Sequence, residues 1–154
     1  MTEISSVIDD SECLCILVTG GCGYIGSALV PQLLEDERVG EVIVFDSLTS
    51  GSPRNLAGSV GGELQFRRGD VRVYGDVESA MRGVDRVVHL AAITGANSTH
   101  DRRAETFAVN RDGTENVLTA ARKFDVETVV YASSCNFFER TATTEIDEET
   151  DQNP

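Results

Sequence analysis

The stretch Leu17–Ser27, LVTGGCGYIGS, places four glycines in seven positions directly after a short apolar run. Glycine tolerates sharp turns and close backbone approach at an entropic cost, so such a cluster between two regular elements constrains the fold strongly. Gly21, Gly23 and Gly26 satisfy G-x-G-x-x-G, while Gly20, Gly23 and Gly26 satisfy a G-x-x-G-x-x-G spacing. In either register a strand turns abruptly into a helix whose first free N–H groups face an anion. A P-loop is excluded, because no G-K-[ST] follows the glycines.

Five apolar, β-branched runs are read as strands: CLCILVTG (13–20), EVIVFD (41–46), LQFRRGD (64–70), DRVVHLAA (85–92) and ETVVYASS (127–134). All but the third are nearly continuous in apolar residues, as strands buried on both faces are. Helical patterns lie between them at 24–39, 73–83 and 104–124. Pro31 sits early in the first of these, where it is expected to cost a bend. Ser47 to Gly62 reads as loop, with at most a helical turn near Arg54–Ala57. Strands alternating with helices predict a doubly wound parallel α/β sheet, a Rossmann fold, in the order 3-2-1-4-5.

The second strand ends on Asp46, twenty residues after Gly26. A carboxylate there accepts from the hydroxyls of an adenosine ribose and repels a 2′-phosphate. Ser47 rather than Arg follows it. The dinucleotide expected is therefore NAD, not NADP.

The formal charge of −13 argues against nucleic acid or an anionic membrane as partner. The acids are concentrated at the ends. Residues 1–12 carry four acids and no base, and 139–154 carry Glu139, Glu145, Asp147, Glu148, Glu149 and Asp151 against Arg140. We therefore expect an acidic N-terminal extension over 1–12, a cofactor-binding domain over 13–138 and an acidic loop over 139–154. No run reaches the ~18 apolar residues of a spanning helix, and the first residues carry acids where a signal peptide carries bases, so the expected location is the cytoplasm. Cys13, Cys15, Cys22 and Cys135 form no C-x-x-C pair. Cys13 and Cys15 read as small buried hydrophobes on one strand face, and no metal is expected. His89 reads as a strand histidine packed in place and His100 as solvated.

Six stretches in order, TGGCGYIGS, FDSLTSG, GDV, VVHLAA, VNRDGTENVL and VVYASS, make residues 13–138 resemble the NAD-dependent epimerase/dehydratase family, the extended short-chain dehydrogenases. The resemblance implies roles for particular residues. Tyr24 and Ile25 lie over the pyrophosphate, and Asp46, Ser47, Leu48, Thr49, Ser50 and Gly51 form the adenosine-ribose segment. Asp70 and Val71 flank adenine. Leu90, Ala91, Ala92 and Thr94 line the cofactor's central part and nicotinamide-side ribose. Asn110 matches a family asparagine near the cofactor, the alternative being a helix-interior asparagine bonding neighbouring backbone. Ser134 supplies the hydroxyl that bonds the reacting sugar oxygen, with Ser133 as the neighbouring alternative.

The family's general base is the tyrosine of Y-x-x-x-K. Tyr24, Tyr74 and Tyr131 are the tyrosines of this chain, and none has lysine four residues on. Relatives of this kind reach that tyrosine shortly after an acidic loop. The expectation is a chain truncated after the fifth strand, with a nucleotide sugar as substrate and a homodimer as the state of the longer parent. A non-catalytic NAD-binding sensor of the same fold is the second reading. A methyltransferase of related fold is disfavoured by Val18 and Thr19, where that class carries an acid.

Overall fold

The computed structural model describes residues 13–59, 63–94 and 101–133. Its elements are β1 (Leu14–Thr19), α1 (Tyr24–Glu35), β2 (Val39–Asp46), a 3₁₀ turn (Pro53–Leu56), β3 (Glu63–Arg68), α2 (Tyr74–Ala80), β4 (Arg86–His89), α3 (Arg103–Phe107), a π-turn (Ala108–Asp112), α4 (Gly113–Lys123) and β5 (Thr128–Tyr131). The five strands pair in parallel in the order β3-β2-β1-β4-β5. This is the doubly wound sheet that the alternation of patterns predicts.

Strand side chains alternate, which divides the apolar runs between two cores. Leu17, Ile43, Phe45 and Val87 face α2 and α4, where they meet Val77, Met81, Val117 and Ala120. Ile16, Val18, Val42 and Val44 face the opposite side and pack on Val30 and Leu34 of α1 and on Leu56. In α1 the buried positions are Gly26, Val30 and Leu34, and in α4 they are Gly113, Val117, Ala120 and Ala121, each a single stripe at helical spacing.

Three expectations are corrected. Pro31 is the eighth of twelve residues of α1, not an early one, and the helix is continuous through it. Cys13 precedes β1 and is exposed, Cys15 is half-buried and Cys22 is fully buried, while Cys135 lies outside the described residues. The last run is not buried on both faces over its described residues, since Val130 is 54% and Tyr131 52% exposed, and among the described residues β5 pairs only with β4.

The register fixes where the loops meet. Thr19 lies opposite both Phe45 and His89, so β1, β2 and β4 end at one level of the sheet. The turn from β1 into α1 then packs backbone on backbone: a Cβ on Gly26 would sit 2.5 Å from both Cα and O of Gly21. Gly26→Ala should force α1 off the strand end and cost about 1–3 kcal/mol, the range for overpacking. Urea unfolding followed by circular dichroism should show a lower midpoint, and an unchanged one would contradict this contact.

Candidate functional site

The carboxyl edge of the sheet holds a cleft of about 340 Å³, running from Gly20 and Gly23 past Asp46 and Asp70 to Ala91 and Thr94. Its centre is the β1–α1 turn. Gly20 has φ +69°, which disfavours any side chain, and a Cβ there would lie 2.8 Å from Ala91 N. Gly51 is excluded from growth in the same way, 2.7 Å from Cys22 O. Gly23 differs, since an added Cβ would meet only Gly20 O at 3.1 Å. Packing within the chain therefore demands glycine less at 23 than at 20 or 26. Gly23 is also the N-cap of α1, with no side-chain cap and no acid in the first turn. The first-turn N–H groups lack intrahelical partners and present partial positive charge beside the cleft.

Asp46 is 8% exposed, not a solvated strand-end carboxylate. Its Oδ2 accepts from Cys22 N at 3.0 Å and its Oδ1 from Leu48 N at 2.7 Å. The second bond holds Leu48 at φ +62°, a left-handed conformation that a leucine adopts only when its surroundings impose it. A carboxylate has about four acceptor positions, so each oxygen keeps capacity toward the cleft. The loop then returns to the glycines: Cys22 O accepts from Asn55 Nδ2 at 2.9 Å and from Ser52 N at 3.3 Å. The buried Cys22 thiol is pushed up to about 11 by desolvation first and the nearby Asp46 second. It is thus a packing residue rather than a nucleophile.

On the far side of β2, Asp70 accepts from Arg72 at three nitrogens: N at 2.9 Å, Nε at 3.0 Å and Nη2 at 2.5 Å. Arg72 lies 4.0 Å from Glu105, which is bonded by Arg102 at 2.7 Å. The arginine hydrogen bonds hold the carboxyls of Asp70 and Glu105 below their ordinary values. Val71 O accepts from Asn116 Nδ2 at 2.8 Å, which ties this loop to α4. The Asn110 side chain bonds not to its own helix but to the loop after β4, its Oδ1 accepting from Ile93 N at 2.8 Å and its Nδ2 donating to Ile93 O at 2.9 Å.

Gly20, Gly23, Asp46, Ser47, Thr49, Ser50, Gly51, Asp70, Val71, Leu90, Ala91, Ala92 and Thr94 all line the cleft. Gly26 is buried beneath the turn. Tyr24, 94% exposed, and Ile25 stand on the first turn of α1 and lie outside the lining; Leu48 and Asn110 are outside it as well. Ser134 and His100 lie outside the described residues, and the neighbouring Ser133 is exposed. Sequence reading missed Phe45, Gly69, Arg72, Ile93, Arg102, Glu105 and Val109, which also line the cleft. Gly69 and Arg72 flank the Asp-Val pair, a usable signal, whereas α3 reaches the cleft only through tertiary packing.

His89 is 2% exposed, with Nδ1 2.6 Å from Thr19 Oγ1 and Nε2 3.0 Å from Thr114 Oγ1. Burial pushes its pKa down to about 4. Among the described residues no cluster of His, Cys, Asp and Glu could hold a metal ion, and no helix is long and apolar enough to cross a membrane.

Residues 16–154 match the model of the NAD dependent epimerase/dehydratase family. A 3-beta-hydroxysteroid dehydrogenase of Mycolicibacterium neoaurum is 37% identical over 123 residues, covering 77% of this chain and 31% of that protein. A UDP-glucose 4-epimerase of Rickettsia canadensis is 33% identical over 122 residues, covering 77% of this chain and 36% of that protein. The solved structure of a dTDP-glucose 4,6-dehydratase from Streptomyces venezuelae, with NAD bound, superposes with a TM-score of 0.83 at 34% identity, over 92% of this chain and 46% of that one. The chain thus spans about a third of the length of the curated relatives it matches.

The burial of His89 predicts a specific acid limb. The unfolded chain binds this proton below about 6.5 and the folded chain only below about 4, so the contribution is complete above 6.5 and lost as pH falls toward 4. The loss amounts to about 3 kcal/mol. Asp70 and Glu105, held down by arginines, give up their contributions only below their ordinary values of 3.8 and 4.5. Urea unfolding at a series of pH values from 7 to 4.5 should show falling stability, and His89→Gln should flatten that limb. A flat wild-type profile would refute a buried neutral histidine.

Proposed function

The chain belongs to the NAD-dependent epimerase/dehydratase family, and from that membership and the cleft we propose that it is the cofactor-binding part of a nucleotide-sugar epimerase or dehydratase. The observation that carries the reading is the buried Asp46, which bonds the glycine turn with one oxygen and Leu48 N with the other and lines a cleft together with Gly20 and Gly23. NAD, when bound, supplies the hydride acceptor. In this reading the ribose hydroxyls donate to the remaining acceptor positions of Asp46, and Ser47 to Gly51 close around them. The pyrophosphate lies against Gly23 and the first turn of α1, beneath Tyr24 and Ile25. Adenine sits between Asp70 and Val71, and the other half of the cofactor extends along Leu90, Ala91, Ala92 and Thr94.

Ser134 is the proposed hydroxyl that bonds the reacting oxygen and stabilises charge developing there. Removal of the alcohol proton as hydride leaves needs a general base, which contributes typically ~10² to 10⁴-fold. None of the three tyrosines carries the partner lysine. The greater length of the relatives supports assigning the tyrosine and lysine to protein outside these residues. A second reading is favoured by the 37% match to a hydroxysteroid dehydrogenase: oxidation of a steroid secondary alcohol at the same cofactor site.

Three outcomes are expected. The chain binds NAD more tightly than NADP by calorimetry, and Asp46→Ala weakens NAD by about 1.5–3 kcal/mol, the value of a charge-assisted bond, narrowing the gap. Gly23→Val abolishes NAD binding with circular dichroism unchanged, because the space it fills is the ligand's. The 154 residues alone form no product from UDP-, GDP- or dTDP-sugars and no ketone or reduced cofactor from 3β-hydroxysteroids, whereas a longer form carrying the tyrosine and lysine turns over one class, as read by chromatography of the product. Equal affinity for NAD and NADP, or retained binding in Gly23→Val, would sink the cofactor assignment.

A further inference from the structure

Two hydroxyls, one imidazole and one carboxamide link residues on either side of Ala92. Ala91 N donates to Thr19 Oγ1 at 3.2 Å, and Thr19 Oγ1 lies 2.6 Å from His89 Nδ1. His89 Nε2 lies 3.0 Å from Thr114 Oγ1, which donates to Asn110 O at 2.6 Å. Asn110, at the centre of the π-turn, grips both backbone groups of Ile93. Proton counting fixes every direction in this path. A carbonyl only accepts, so the Thr114 hydroxyl proton goes to Asn110 O, and Thr114 must accept from His89. His89 therefore carries its proton on Nε2, and its bare Nδ1 accepts from Thr19, whose oxygen is left to receive Ala91 N–H.

We propose that His89 is a positioning residue for the cofactor, joining α4 to β1 through the Thr114–His89–Thr19 hydrogen-bond path and so fixing the backbone of residues 91–93 at the cleft. This rests on the reading of the cleft as the NAD site. Several features support a positioning role over simple burial of a polar ring. Both ring nitrogens are used, and both directions are dictated by their partners. The path begins and ends on the segment that lines the cleft, with Ala91 bonded at one end and Ile93 at the other. A π-turn interrupts an otherwise helical stretch at the residue that makes the second contact, and such turns are frequent at functional sites. With adenosine over β2 and β3, the pinned segment faces the opposite half of the dinucleotide.

The decisive variant is Thr114→Val, which preserves volume while removing the acceptor for His89 Nε2–H. Thr114 makes no direct bond to Ala91, so any effect there travels through His89 and Thr19. Native-state hydrogen exchange on the 154-residue chain should show Ala91 and Ile93 amides exchanging on the order of tenfold faster in Thr114→Val, as expected for weakening one or two hydrogen bonds. The Leu90 amide, bonded to the Thr19 backbone carbonyl, should keep its protection. In parallel, NAD affinity should fall by roughly three- to tenfold while ADP affinity stays within about twofold, and Thr114→Ser should restore both readouts. Unchanged exchange at Ala91, or equal losses for NAD and ADP, would overturn the proposal. If the wild-type chain bound neither ligand, the cofactor reading would fail, and the exchange at Ala91 would still decide whether the path holds the loop.

Discussion

The cleft depends on the Asp46 carboxylate. It closes two loops with one group: through Cys22 N it holds the turn between β1 and α1, and through Leu48 N it bends the chain leaving β2 into a left-handed residue. No side-chain cation is bonded to it among the described residues. Its partners are backbone N–H groups, with the start of α1 nearby. Two N–H bonds to a carboxylate can hold a buried charge where a surface ion pair contributes little. The consequence is a site whose shape is set by backbone, and backbone positions vary less than side-chain rotamers.

In the proposed reading, that geometry also accounts for an acidic chain holding an anionic dinucleotide. The net charge of −13 gives no long-range attraction to a pyrophosphate. The two arginines at the cleft, Arg72 and Arg102, are engaged by Asp70 and Glu105, so this four-membered chain is neutral as a whole. Short-range donors remain: the unpartnered N–H groups at the start of α1, placed within reach because Gly23 has no side chain. Affinity on this basis would depend on close contact between ligand and backbone.

Much of this was legible in the sequence, and the pattern of success has a physical reason. The sheet order follows from alternating periodicities and right-handed crossovers, which are local signals with one low-energy assembly. The glycines and Asp46 were readable because they sit at fixed offsets from strand ends. Contacts between distant segments were not readable. Arg102 and Glu105 reach the cleft because α3 packs across from the β3–α2 loop, and Asn110 bonds a backbone seventeen residues away rather than its own helix. Cys13 and the apolar run 127–134 misled for a shared reason. Composition reports that a segment can be buried, not that something covers it, and Val130 and Tyr131 of β5 are exposed.

The two halves of the cleft are not independent modules. Gly20 belongs to the glycine turn, yet the atoms that forbid it a side chain are Leu90 C and the Ala91 backbone. Thr19, one residue earlier, donates its hydroxyl proton to His89 and accepts Ala91 N–H. Its backbone carbonyl accepts Leu90 N–H. The β1 terminus thus touches the β4 loop by packing, by a side-chain bond and by a backbone bond within two residues. A shift of that loop must move the glycine turn with it, because interiors packed this closely transmit displacement rather than absorb it. Asp46 couples the same turn to β2, and Asn116 couples the β3 loop to α4. The ends of β1, β2, β3 and β4 and the helix behind them therefore form one mechanical unit. In the proposed reading of the cleft, binding at the adenosine end and alignment at the far end would therefore be properties of the same packed layer.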